Sequence, residues 1–180
     1  MKARLDGISW QCLRALLFCV AFASGAAHAE FTLSDLQIAG RALGFLDKPV
    51  QGQVTAGIVY SPANPQSLRE ATALKDMLGE GLRIGNVTLR PVLIPINDLQ
   101  HSTAALFLLA GGVEDAAPLA EAVRSKRIPC ITTDLAKVKS GSCAIGVRSQ
   151  PKIEILVNRN AATSSDLKFS AVFRMMITEM

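Results

Sequence analysis

The chain has 180 residues, 49% hydrophobic and 19% charged, with 19 Lys and Arg against 15 Asp and Glu. That profile excludes a disordered or fibrous chain and is too short for a multidomain enzyme. It also gives no support for nucleic-acid binding: the basic cluster Arg124, Lys126 and Arg127 falls at a predicted helix end, where cations complement the helix dipole.

Residues 1–29 read as a secretory signal. Lys2, Arg4 and Arg14 precede an apolar run at 15–23, and Ala27-His28-Ala29 supplies a small-x-small cleavage site. The run is about half of the ~20 residues a membrane span requires. Cleavage after Ala29 is therefore expected, with a retained anchor as the alternative, and the folded domain is expected over 30–180. Without the leader, 16 basic residues face 14 acidic ones, a net charge of +2. Of four cysteines, Cys130 and Cys143 remain. In an oxidising compartment they are expected to pair, closing a loop worth ~3 kcal/mol in the chain-entropy model, with two buried thiols as the alternative.

From Glu30 the chain alternates helix and strand. Thr32 or Ser34 caps a helix with Leu36, Ala39, Leu43 and Leu46 on one face, stopped by Gly44 and Pro49. Residues 54–60 are a β-branched run typical of a strand covered on both faces. Ser61-Pro62-Ala63-Asn64-Pro65 is a loop, and a helix from about Gln66 to Glu80 presents Leu68, Ala71, Leu74 and Leu78. Residues 87–94 form a second strand, with Pro91 pointing to an edge or a bulge. Residues 105–110 form a third strand, stopped by Gly111-Gly112. Asp115 then caps a helix buried through Leu119, Ala122 and Val123, and residues 128–133 form a fourth strand. After Asp134, strands at 143–148 and 153–157 flank Ser149-Gln150-Pro151-Lys152 and make an antiparallel hairpin. Phe169, Val172, Phe173, Met176 and Ile177 are spaced as a terminal helical stripe. The expected architecture is a single three-layer α/β domain with a mostly parallel sheet, Rossmann-like βα units and a C-terminal antiparallel hairpin plus helix.

The residues offer little catalytic chemistry. Beyond the signal the only histidine is His101, in the polar loop 98–103, with no placed partner for general-base work. There is no Cys-x-x-Cys, no His-Glu-x-x-His and no phosphate-binding glycine loop. Neither an enzyme nor a metal or cofactor is expected. In open α/β sheets ligands bind at the carboxyl ends of the strands. Those ends make Ser61, Asn64, Gly111, Gly112, Thr133 and Asp134 the ligand-binding candidates, although Asp134 also reads as a helix cap.

Residues 141–147 (Gly-Ser-Cys-Ala-Ile-Gly-Val), 153–158 (Ile-Glu-Ile-Leu-Val-Asn), Ala161-Ala162 and Leu167-Lys168-Phe169-Ser170 resemble the closing strands and helix of the YfiR-like periplasmic proteins. Residues 43–49 (Leu-Gly-Phe-Leu-Asp-Lys-Pro) stand where that family has an aromatic-rich helix ending, here without its Trp. The family's Cys-His before the third strand is reduced to His101. The resemblance implies a non-enzymatic periplasmic regulator that represses an inner-membrane signalling protein, of the diguanylate cyclase or sensor kinase type, in cyclic-di-GMP signalling. A second resemblance competes: residues 57–64 (Gly-Ile-Val-Tyr-Ser-Pro-Ala-Asn), opening onto a helix, look like the first lobe of ABC-transporter substrate-binding proteins. That implies a small-molecule-binding single lobe. For a partner surface, either a homodimer or the membrane protein, the candidates are Arg148, Lys152, Phe173, Met175 and Met176. Core packing is the other reading of the terminal stripe.

Overall fold

The computed structural model describes residues 30–180. The expected signal segment lies outside them. One sheet of eight strands organises the domain: β1 (Gly52–Tyr60), β2 (Leu82–Ile84), β3 (Val87–Pro95), β4 (Leu106–Leu109), β5 (Cys130–Thr132), β6 (Ile145–Arg148), β7 (Glu154–Val157) and β8 (Thr178–Glu179). Their spatial order is β2-β3-β1-β4-β5-β6-β7-β8. The five strands from β3 to β6 are mutually parallel, β2 runs antiparallel to β3, and β7 returns antiparallel from β6.

Alternation along β4 shows how the layers divide. Leu106 and Leu108 join the core beneath α1 (Leu33–Leu43) and α2 (Pro65–Leu78), whereas Phe107 and Leu109 join the opposite core beneath α3 (Ala117–Lys126). All four residues are buried, so β4 is covered on both faces. Apart from α3, whose N-cap is Ala116 with no side-chain cap and whose Ala117 N–H is instead accepted by the preceding Asp115, the α-helices start on a sequence-encoded cap. Thr32 and Asp35 form a reciprocal capping box at α1, and Asn64 caps α2 ahead of Pro65. Asp134 caps α4 (Leu135–Lys139), and Asn158 caps α5 (Arg159–Ser164). Among the described residues no helix is long and apolar enough to cross a membrane.

The disulfide is present. Cys130 opens β5, Cys143 lies just before β6, and their Cα atoms are 5.0 Å apart within the buried core beneath α3. Adjacent parallel strands place their entry points side by side, within the range a bridge requires.

Several expectations need correction. Leu68 points to solvent, and α2 instead turns Ser67, Glu70, Ala71, Leu74 and Leu78 inward. Pro91 does meet the edge expected of it: β2 pairs only with Val87 to Leu89, so the outer edge of β3 is open where the proline sits. The terminal stripe is not one helix: α6 (Ala171–Arg174) is a single turn, after which the chain extends into β8 beside β7. Phe173 drops into an aromatic cluster, 4.9 Å from Phe45 and 5.2 Å from Phe169 between ring centroids. Glu179 accepts hydrogen bonds from Arg159 and Arg174. With the ring inserted and the last strand pinned, the segment cannot continue as a helix.

Candidate functional site

The strand order reverses at β1. The connection through α2 carries the chain to β3 on one side, and the following strands β4, β5 and β6 step away on the other. At such a switch point the loops leaving two neighbouring strands part and leave a crevice at their carboxyl ends. Here the crevice lies between residues 61–64 after β1 and residues 110–115 after β4. Ser61, Ala63, Asn64, Gly112, Glu114 and Asp115 line a depression of about 450 Å³.

Four of the six ligand candidates meet at this crest. Asn64 is held at both ends: its Oδ1 accepts the Gln66 N–H at 3.0 Å and its Nδ2 donates one N–H to the Gly112 carbonyl at 2.9 Å. Ser67 Oγ accepts the Ser61 N–H at 3.0 Å. The two glycines allow this closeness. Gly112 sits at φ +69°, where a Cβ would strike Asn64 and Ser67, and a Cβ on Gly111 would overlap the Glu70 carboxylate. The other two candidates follow β5. Thr133 is buried, and Asp134 is half-buried with its Oδ1 accepting the Ala136 N–H at 2.9 Å. Lys137 Nζ donates to the Glu114 carbonyl at 2.5 Å, tying α4 to the rim of the crevice.

The electrostatics of the crest disfavour anions. Pro65 has no N–H, the Gln66 N–H is taken by Asn64, and the carboxylates of Glu114, Asp115 and Glu70 outnumber the one rim cation, Lys137, whose ammonium is spent on the Glu114 carbonyl. Asp115 Oδ1 accepts the Ala117 N–H at 2.9 Å, which leaves its second oxygen facing outward at the α3 entrance. A polar neutral or cationic group fits such a surface better than phosphate. Glu70 gave no signal in the sequence beyond its place in α2. Its burial follows from the two-glycine turn packed over it.

The remaining residues lie elsewhere. His101 Nδ1 is 2.7 Å from Asp98 Oδ1 in the 3-10 segment Ile96–His101, with both side chains largely exposed. Among the described residues no group of three or more His, Cys, Asp or Glu is placed to hold a metal ion. Of the partner-surface candidates, Arg148 and Lys152 flank the β6–β7 turn, Met175 and Met176 are exposed between α6 and β8, and Phe173 is 2% exposed.

No family model and no curated relative matches the sequence, so the YfiR-like resemblance finds no family support. Among solved structures, the fold is similar to one described as the ABC domain in complex with L-Trp from Streptococcus pneumonia, with a TM-score of 0.56 at 12% identity. The match covers 81% of this chain and 60% of that one, so the chain spans less than two thirds of the length of its structural neighbour. At that identity the likeness is one of fold.

Proposed function

We propose that the domain is a non-enzymatic, small-molecule-binding α/β lobe, exported to the periplasm and binding its ligand in the crevice between the carboxyl ends of β1 and β4. The observation that carries this reading is the switch-point depression, rimmed by Ser61, Asn64, Gly112 and Glu114 and braced by the Asn64–Gly112 hydrogen bond. The ABC-domain likeness supports it at the level of the fold, and the buried disulfide suits an oxidising compartment. A single lobe covers one side of a ligand, so modest affinity is expected unless a second surface closes over it.

The test is a thermal-shift screen of amino acids, amines and sugars on the purified domain, followed by calorimetry of any hit. Ala63 is exposed and lines the depression. Ala63→Trp should therefore fill the crevice, keep the melting temperature and abolish binding. A ligand that binds Ala63→Trp as tightly as the wild type would overturn the assignment.

A second reading has its own observation. Val172, Met175 and Met176 are 59%, 79% and 58% exposed at the C-terminal turn, an adaptable apolar surface of the kind protein partners use. It supports regulation of an inner-membrane signalling protein. Loss of that partner's control with Met175→Glu, and not with Ala63→Trp, would select it.

A further inference from the structure

Among the described residues one buried carboxylate oxygen lacks a hydrogen-bond partner. Glu70 is 7% exposed, and its Oε1 accepts the Gln66 side-chain N–H at 3.0 Å. Its Oε2 has no hydrogen-bond partner among the described residues. That oxygen lies against the Gly111 backbone, where any side chain would displace it, just beneath the surface of a pocket of about 60 Å³ that Glu70 lines with Phe31, Leu74, Met77 and Ala110 and with Glu30 at its rim, so a turn of the carboxylate brings it into the pocket. A carboxylate held in apolar surroundings without a counter-charge costs several kcal/mol, and an opposite charge that also donates hydrogen bonds removes the penalty.

Size and donor set narrow the complement. A divalent metal ion takes six or more oxygen ligands or a tight cluster of donors, and the pocket offers only the free Glu70 oxygen and the Glu30 carboxylate at its rim, with no group of three or more ligating side chains among the described residues. A guanidinium is a wide planar fork that matches both oxygens of a carboxylate, whereas Oε1 is already engaged. A primary ammonium is compact and carries three donors. The cavity has room for that head group and the first carbons of its chain. We propose that this pocket is an ammonium site, in which Glu70 Oε2 accepts a hydrogen bond from a primary ammonium group beside Gly111. One source is a free amine ligand, and this rests on the small-molecule reading of the crest, which the same Gly111–Gly112 turn borders. The other is the α-ammonium that leader removal after Ala29 would create on Glu30, itself a residue of the pocket rim.

The experiment uses the chain beginning at Glu30, with a free or an acetylated α-amino group, in wild-type and Glu70→Gln forms. Melting is followed in methylammonium chloride, with tetramethylammonium and sodium chloride as controls for charge and ionic strength. If the source is a free amine, methylammonium alone raises the wild-type midpoint saturably. The rise should be about 3–6 °C at ten times the half-saturating concentration, and should vanish in folded Glu70→Gln. If the source is Glu30, the free-amino wild type melts above its acetylated form, the gap closes in Glu70→Gln, and methylammonium rescues only the acetylated protein. Equal responses of wild type and Glu70→Gln in every arm overturn the proposal. A crevice ligand lost in Ala63→Trp and kept in Glu70→Gln, with no gap between free-amino and acetylated wild type, would overturn it while leaving the crest reading in place.

Discussion

Asp35 Oδ1 accepts the backbone N–H of Ser149 at 2.6 Å, a hydrogen bond spanning 114 residues that fastens the first turn of α1 to the end of β6. The other oxygen of Asp35 accepts the Thr32 N–H at 2.8 Å and the Thr32 hydroxyl at 2.6 Å, and the residue is 4% exposed. Truncation removes the acceptor of three donors at once, of which the Ser149 N–H is the one far in sequence. Asp35→Ala should therefore cost about 3 kcal/mol, more than loss of a helix cap alone, and Asp35→Asn should cost less because it keeps an acceptor. Urea unfolding measures both. A loss under ~1 kcal/mol for Asp35→Ala would show that the Ser149 link contributes nothing beyond the cap.

Thr32 is legible as a cap because capping chemistry is local, but Ser149 is not, since nothing near residue 35 names a partner so distant in sequence. The same divide runs through the fold. The β-branched runs, the paired cysteines and the 149–152 turn disclosed the parallel strands, the bridge and the β6–β7 hairpin. By contrast β2 is three residues between Gly81 and Gly85, and β8 is two residues set by Arg159 and Arg174 on Glu179. Tertiary contacts decide both, and periodicity carries no trace of them. At the crest, Ser61, Asn64, Gly111 and Gly112 followed from strand ends. Glu70 did not, because a glutamate four residues after Gln66 on a helix has the pattern of a solvated pair.

The Cys130–Cys143 bridge joins the entrances of two adjacent strands inside the core. Removing it as the Cys130→Ala, Cys143→Ala pair should lower stability by ~3 kcal/mol through the loop it closes. For a domain of this size that is a fall of roughly 6–12 °C in melting temperature. Alkylation of the unreduced protein in denaturant should modify neither cysteine. Two alkylated thiols would contradict the bridge.

Gly111 and Glu70 should be energetically coupled. A methyl group at 111 has no room beside the Glu70 carboxylate, so Gly111→Ala should cost about 1–3 kcal/mol. Glu70→Ala clears the space, and the double variant should be more stable than the sum of the single losses predicts. A double-mutant cycle in urea gives the coupling, and strict additivity would mean that the turn moves away from the carboxylate at little cost.

Glu179 supplies the pH dependence. Its hydrogen bond from Arg174, and next that from Arg159, hold its carboxyl below the usual carboxylate range. A depressed carboxylate contributes stability that is complete above its unfolded value of about 4.3 and is lost as pH falls through the lower folded value. The C-terminal strand should therefore loosen below about pH 4. The sensitive reporter is the Met180 amide, which donates to the Val157 carbonyl at 3.0 Å. Its exchange protection should fall in acid relative to core amides, and Glu179→Gln should lower it at neutral pH and flatten the profile. Because the ion pairs are near the surface, added salt should shrink the effect.

The C-terminal turn separates packing from surface within three residues. Phe173 is 2% exposed between the rings of Phe45 and Phe169, while Met175, two positions on, is 79% exposed. Phe173→Glu would bury a charge between the rings of Phe45 and Phe169, and Phe173→Ala would leave a cavity costing about 3–5 kcal/mol. Met175→Glu places its carboxylate in water and should change stability by less than ~0.5 kcal/mol. Circular dichroism melts of the three variants measure the packing, and sedimentation of wild type and Met175→Glu measures association. A folded Phe173→Glu protein would contradict the aromatic core. A stable Met175→Glu monomer from a self-associating wild type would show that the exposed methionines form a contact between copies.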